Sequence, residues 1–302
     1  MDNIINIDNI TQLCEALQQN KPKHPLVTVV DFSKVDFENH GNVKVSTGFY
    51  TIMLKNQCPG ALRYGRNYYD FQDGTLVFIA PNQVITMEDP EETEEEIKGW
   101  GLYFHPELIR GSSLNSKMKD YSFFSYDLHE ALHLSEDEKE KLGSIVKDIE
   151  NELENNIDKH SKTLIVSSIE LLLNYCNRFY DRQFITRTEN NKDLIGRFDE
   201  LLNQYIHSDK LSTLGLPTVK YCAEQMHLSA NYLSDLLKKE TGKNTTEHIQ
   251  YQVVELAKDK LLGSTAPVSE IAYDLGFEYP QYFSKLFKKN TGMSPAEYRN
   301  MN

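Results

Sequence analysis

The spacing of hydrophobic residues changes character near residue 135. Before this point, short apolar runs are separated by turn residues, and we predict strands at residues 26–30, 49–54, 75–80 and 101–104. After it, apolar side chains recur every three or four residues over longer stretches, which is typical of amphipathic helices. The sequence therefore predicts an α+β chain, with a small barrel or sandwich at about residues 20–130 and helices after it.

Two helices are predicted at about residues 135–180. Ser135 and Glu138 have the spacing of a capping box, and an apolar stripe follows as far as Leu153. A second apolar stripe runs from about Ser161 to Tyr180. These helices either cover the strands or form a dimer interface, and the pattern favours neither. The polar stretch 186–192 is predicted as a linker, which separates a first domain, 1–185, from a second, 193–302.

The second domain contains an internal repeat with a period of 50 residues. Residues 229–247 and 279–297 are identical at eight of 19 positions. Each copy predicts one helix, at about 230–240 and 280–290, with an apolar side and a polar side. Tyr232 and Tyr282 are placed on the apolar sides, and Gly242 and Gly292 are expected to end the helices.

A shorter helix precedes each copy, at residues 219–226 and 268–275, with a turn of three or four residues between the two helices. A helix, a tight turn and a second helix with an outward polar face form a helix-turn-helix unit. Such a second helix fits the major groove of DNA, where base edges present a readable pattern of donors and acceptors. Two units in one chain can enter successive grooves, about 34 Å apart.

The segment from Val268 to Arg299 resembles the signature of AraC-family transcription activators, and the resemblance extends from near Phe198 to Arg299. It implies two helix-turn-helix units joined by a long helix at about 246–262. Carried over residue by residue, it implies base-reading positions at Asn231, Ser234, Asp235, Pro280, Gln281, Ser284 and Lys285. Asp235 departs from the arginine of many members, so this position is expected to bind more weakly or to read cytosine N4.

Lysines at the far end of each helix can reach phosphates, which position the protein without reading sequence. These lysines are Lys238, Lys239, Lys288 and Lys289.

The resemblance also implies a cupin-like barrel in the first domain, which binds an effector or dimerises. Four aromatic residues are candidate effector contacts, with simple packing of the barrel as the alternative: Tyr64, Tyr69, Phe71 and Tyr103. The expected partners are promoter DNA, RNA polymerase, a small-molecule effector and a second copy of the chain. We expect an activator that works as a homodimer.

The distribution of charge along the chain supports the assignment of DNA binding to the second domain. The net charge is −13, but residues 191–302 hold 13 Lys+Arg and 14 Asp+Glu, whereas the rest of the chain holds 19 and 31. The nearly neutral part can bind DNA if its lysines share one face, because affinity follows local phosphate contacts. The sequence shows no secretory signal, no apolar run of membrane-spanning length and only scattered cysteines, so we expect a cytoplasmic protein.

Residues 129–133 read HEALH and match the zinc-protease pattern HExxH. That chemistry needs both histidines on one sustained helix, and the helix start predicted at Ser135 leaves too little room for it. Metal-binding cupins need a close histidine pair, whereas His24, His40 and His105 are isolated. We therefore expect no catalytic centre, no metal and no cofactor. A cupin-type or zinc-dependent enzyme is the alternative.

Overall fold

The computed structural model describes residues 4–35, 43–55, 62–64, 67–68, 74–87, 98–127, 130–155, 158–186 and 188–301. The chain divides into two compact units, Met1–Gln183 and Phe184–Asn302. Strands lie in the first unit and helices in both, which confirms the predicted α+β class. The division falls two residues before the predicted end of the first domain, inside a helix.

The described strands of the first unit form two five-stranded sheets, in the orders β1-β3-β8-β5-β6 and β10-β7-β4-β9-β2. The described strands do not close into a barrel, because the strands at the ends of each sheet have no ladder to the other sheet among the described residues. The pairing of β1 with β3 is parallel, and the other ladders are antiparallel. The strands are β1 (Ile4–Ile7), β2 (Val27–Asp31), β3 (Val43–Thr47), β4 (Tyr50–Lys55), β5 (Leu62–Tyr64), β6 (Asn67–Tyr68), β7 (Thr75–Ile79), β8 (Val84–Met87), β9 (Gly99–Phe104) and β10 (Leu132–His133).

Strands β4, β7 and β9 form the buried centre of the second sheet, and every residue of β7 is buried. One face contributes Met53, Val77 and Tyr103 to a core that the first helix, α1 (Ile10–Ala16), closes with Ile10 and Leu13. All four predicted strands are therefore present, as β2, β4, β7 and β9.

The remaining helices of this part are α2 (Pro106–Ile109), α3 (Ser113–Lys117), α4 (Glu136–Glu154) and α5 (Ser161–Thr186). The capping box at the start of α4 is confirmed, because Ser135 Oγ accepts from Glu138 N at 3.4 Å and Glu138 Oε2 accepts from Ser135 N at 2.9 Å. Helix α5 is tied to α4 by Arg182, whose guanidinium contacts Glu138 at 2.6 Å and 3.1 Å.

Helix α6 (Thr188–Ile206) begins within the predicted linker at 186–192, so most of this stretch is helical. Arg187 lies outside the described residues. The reason is visible at Asn191, which is 2% exposed and donates its side-chain amide to Phe184 O at 2.5 Å and to Glu240 at 2.8 Å. The side chain of Asn191 thus satisfies buried hydrogen bonds instead of facing solvent.

The second unit continues with α7 (Lys210–Leu214), α8 (Val219–Met226), α9 (Ala230–Thr241), α10 (Thr245–Gly263), α11 (Val268–Asp274), α12 (Pro280–Thr291) and α13 (Pro295–Arg299). Helix α10 packs against α9 on one side and against α11 and α12 on the other. One hydrophobic core runs through all of them, with Leu237 of α9, Val253 and Ala257 of α10, and Phe287 of α12 among its fully buried members. Among the described residues, none of the helices combines the length and apolar character that crossing a membrane needs.

Candidate nucleic-acid interface

Helices α8 and α9 form the first predicted helix-turn-helix unit. Thr218 caps α8, and His227 ends it in the left-handed conformation, with φ 58° and ψ 41°. Ser229 then caps α9 by accepting from Tyr232 N at 3.2 Å. The small residue Ala223 is 2% exposed in the middle of α8, which lets another helix pack closely there. The local sequence thus turns the chain within three residues, as expected.

Helix α9 buries one side and exposes the other. Tyr232, Leu233, Leu236 and Leu237 are buried, as the sequence predicts. Asn231, Lys238 and Lys239 are exposed, and Asp235 is half-buried. Ser234 lies at the edge of the outer face, where its hydroxyl shares a 3.0 Å hydrogen bond with Thr245, a residue that is fully buried. The solvent-facing arc of α9 is therefore formed chiefly by Asn231, Asp235 and Lys238.

Helix α12, after α11, forms the second unit. Gln281, Lys285, Lys288 and Lys289 are exposed, whereas Pro280 and Ser284 are half-buried. Pro280 occupies the first turn, where a missing N–H costs nothing, and Ser284 donates its hydroxyl to Pro280 O at 3.1 Å. Residues 281, 285 and 288 lie on one face of an α-helix because they are three and four residues apart.

The tyrosine that both copies of the repeat share is buried in one copy and exposed in the other. Tyr232 is 5% exposed and packs 5.2 Å from the ring of Phe184. Its counterpart Tyr282 is 61% exposed and meets the exposed Tyr279 edge to face at 5.7 Å. The prediction that Tyr282 faces the core is therefore wrong. Sequence periodicity places both rings alike, and only the chain segment that supplies Phe184 distinguishes them.

The four lysines proposed to contact phosphates lie at helix C-termini, where positive charge is stabilised. Lys238 and Lys239 lie in the last turn of α9, and Lys288 and Lys289 lie in the last turn of α12. Cations are stabilised near helix C-termini by the unpaired carbonyl groups. Both helices end at a glycine in the left-handed conformation, Gly242 and Gly292, as predicted. Each unit thus presents a polar face with positive charge at one end.

The helices that follow are fixed by local hydrogen bonds. Capping boxes at Asn244 with Glu247 and at Ser294 with Glu297 start α10 and α13. On α10, His248 Nε2 lies 2.7 Å from Thr241 Oγ1, and its ring meets Phe198 edge to face. Burial lowers the pKa of His248, and Lys243 lowers it further against the opposing carboxylates of Asp199 and Glu247.

The candidate effector residues are only partly described. Tyr69 and Phe71 lie outside the described residues, and of Tyr64 only the backbone, in β5, is described. Tyr103 is 6% exposed and packs edge to face on Phe49, 5.9 Å away, within the sheet core. Burial raises the pKa of its hydroxyl. Effector binding at these residues stays a prediction.

The HEALH segment does not form the helix that a zinc protease needs. His129 lies outside the described residues, whereas Leu132 and His133 form β10, paired with Leu76 and Thr75. The side chain of Gln183 accepts from His133 N at 2.8 Å and donates to Ala131 O at 3.2 Å, which holds the segment extended. Within the described part of the chain, no three His, Cys, Asp or Glu side chains come together as metal ligands would.

Comparison with known proteins agrees with the helical geometry. Residues 222–301 match a family model described as a helix-turn-helix domain. The HTH-type transcriptional regulator YijO of Escherichia coli (strain K12) is 31% identical over 160 residues, which cover 53% of this chain and 53% of YijO. The arabinose operon regulatory protein of the same strain is 25% identical over 256 residues, which cover 83% of this chain and 80% of that protein.

Among solved structures, the C-terminal domain of AraT, a response regulator from Geobacillus stearothermophilus, is 28% identical. The match covers 36% of this chain and 85% of that chain, with a TM-score of 0.32. This chain spans about half the length of YijO. The relatives are transcription regulators, and the helix-turn-helix match lies over α8 to α13. The C-terminal part of the chain is a helix-turn-helix domain similar to those of AraC-family regulators.

Proposed function

We propose that this protein is a sequence-specific DNA-binding transcription regulator that inserts α9 and α12 into successive major grooves on one side of a duplex. The observation that carries the proposal is the matched pair of exposed polar faces on two helices that share one core. Asn231 and Lys238 lie on the first face, and Gln281, Lys285 and Lys288 lie on the second. An α-helix of this kind fits the major groove, where base edges can be read directly.

The side chains divide by their position on each helix. Gln281 and Lys285 lie in the first half of α12, where an amide suits adenine and an ammonium group suits guanine. In α9, Asn231 suits adenine and the carboxylate of Asp235 suits cytosine N4. The remaining proposed base-reading residues are half-buried: Ser234, Pro280 and Ser284. Lysines of the last turns contact phosphates: Lys238, Lys239, Lys288 and Lys289.

Two lysine variants test this assignment. A duplex is first selected from a randomised pool by the full-length protein and is then titrated at several salt concentrations. We expect Lys285→Ala to weaken specific binding by about 1–3 kcal/mol and to relax one base position. We expect Lys288→Ala to weaken binding to all sequences and to lower the salt slope by about 1.

The matched control is Lys220→Ala on α8, because this side chain is 83% exposed and pairs only loosely with Glu224, at 3.8 Å. Its affinity should equal that of the unmodified protein. Failure to select any duplex, or unchanged binding in both Lys285→Ala and Lys288→Ala, would refute the proposed function.

We further propose that the protein acts as a homodimer, and helix α5 supports this. Leu164 and Leu171 are 52% and 47% exposed, and seven residues separate them, so they lie on one face of the helix. Exposed leucines at this spacing are typical of a helix–helix interface. Sedimentation at micromolar concentration should show a dimer that Leu171→Glu dissociates, with Lys162→Glu on the same helix as control. A monomer at all concentrations would refute the dimer.

The remaining parts of the proposal concern regulation. We propose that the protein acts in the cytoplasm as an activator, through RNA polymerase, in response to a small-molecule effector held by the first unit, and that it is not an enzyme. The support is the similarity over 83% of this chain to a protein named for regulating an operon. Transcription in vitro from a selected promoter should rise on addition of the protein. Repression by the protein would refute the activator assignment.

A further inference from the structure

The second helix-turn-helix unit has a contact besides α10, with helix α7, which precedes the first unit. Gly276, in the turn between α11 and α12, lies against the end of α7 in a left-handed conformation, with φ +78°. A methyl group on Gly276 would overlap the carbonyl oxygen of Leu211 and come within 2.8 Å of Gly215 Cα. These neighbouring atoms belong to the backbone, so a side-chain rearrangement cannot relieve the overlap.

Helix α7 is itself fixed to the first helix-turn-helix unit. Tyr205 of α6 is 6% exposed and donates its hydroxyl to Gly215 O at 3.0 Å. The ring of Tyr205 also packs 5.2 Å from Tyr221 of α8. Leu211 of α7 is 3% exposed in the shared core. The segment 209–215 is thus held by α6 and α8 while it touches the turn that starts α12.

Two helices that are joined at two separate places cannot bend or twist relative to each other as freely as two helices that are joined at one place. Helix α10 joins the units along a single axis, so bending or twisting of α10 would shift α12 relative to α9. The contact of Gly276 with Leu211 and Gly215 lies on different elements and opposes both movements. We infer that residues 209–215 and Gly276 act as a brace that fixes the distance and the rotation of α12 relative to α9.

This inference rests on the proposed function for its consequence in DNA recognition. One base pair of spacing moves a groove by about 3.4 Å along the duplex and rotates it by about 35°. Two helices held at a fixed distance and rotation cannot both enter their grooves when the spacing between the grooves changes by one base pair. The protein therefore accepts one spacing between the two half-sites, and the brace acts as a positioning device for specificity without touching a base.

The first test needs no DNA. Spin labels on unnatural amino acids at positions 239 and 289 report the distance between α9 and α12 in the full-length protein. We expect one narrow distance distribution in the unmodified protein and a clearly broader one in Gly276→Ala. The control is Gly242→Ala, because Gly242 has the same φ of +78° but open space around its Cβ. Tyr205→Phe, which only removes the hydrogen bond to Gly215, provides a milder second variant.

The second test uses duplexes selected by the unmodified protein, with the spacing between the two protected halves changed by one base pair in either direction. We expect such a change to weaken binding by the unmodified protein and by Gly242→Ala at least tenfold. We expect at least a threefold smaller penalty for Gly276→Ala and a reduced penalty for Tyr205→Phe. This ratio is independent of a general loss of stability, which weakens binding to every spacing alike.

The outcomes separate the two claims. An unchanged distance distribution and an unchanged spacing penalty in Gly276→Ala and Tyr205→Phe would overturn the brace, whatever the DNA affinity. Selection of no duplex would overturn the proposed function and with it the consequence for spacing, whereas a broadened distance in Gly276→Ala would still support the brace.

Discussion

Tyr232 and Tyr282 occupy the same position of the repeat, but alanine should affect them very differently. Tyr232 is 5% exposed against Phe184, and Tyr282 is 61% exposed. Removal of a buried aromatic side chain costs about 3–5 kcal/mol. Substitution of an exposed side chain usually changes stability by less than about 0.5 kcal/mol. Both variants gain the same helix propensity from alanine, about 0.5 kcal/mol, so the difference between them reports burial and the contacts of each ring.

Urea unfolding of the full-length variants tests this difference. Far-UV circular dichroism follows the helices, and hydrogen exchange of peptides from α9 and α12 assigns the loss, because a chain of two units need not unfold in one step. With a slope of about 1–3 kcal/mol per molar urea, the midpoint for Tyr232→Ala should fall by at least about 1 M. That for Tyr282→Ala should barely move. Equal losses in the two variants would refute the packing argument.

Three further predictions concern stability. Asn244→Ala should destabilise α10 by about 1 kcal/mol through loss of its cap, measured by urea unfolding, whereas the exposed Thr246→Ala should not. Because burial holds the pKa of His248 below its ordinary value of 6.5, the unfolded chain binds this proton more readily, so stability is complete above pH 6.5 and falls at lower pH. Replacing His248 with Gln should remove that part of the pH dependence of thermal unfolding. Arg182→Ala should cost about 2 kcal/mol in the first unit by breaking its paired contacts with Glu138, and an unchanged melting temperature would contradict it.

Local signals in the sequence predicted local structure well. Capping residues such as Ser294 act on N–H groups three residues away, and Gly292 needs only its own backbone freedom, so both are readable without the fold. The sequence also indicates the strands around residues 50–55 and 75–79, because a short continuous run of apolar residues is typical of a buried strand. The two helix-turn-helix units follow from such signals repeated after 50 residues.

Features that depend on distant partners were missed. The strand Ile4–Ile7 exists because it pairs with residues 44–47, and nothing near it in the sequence indicates that ladder. Composition indicates a linker after Thr186, because it does not reveal the hydrogen bonds of Asn191 to Phe184 and Glu240. The choice between a closed barrel and two separate sheets likewise depends on which edges meet, which alternation does not encode.

The sequence by itself determined the helices, their caps and the polar faces of the two repeats, because periodicity and short-range hydrogen bonds are properties of neighbouring residues. Only the tertiary structure decided which copy buries its tyrosine and where the second helix-turn-helix unit contacts α7. Those outcomes depend on what packs against an element, and Phe184 and Gly215 reach Tyr232 and Gly276 from 48 and 61 residues away in the sequence.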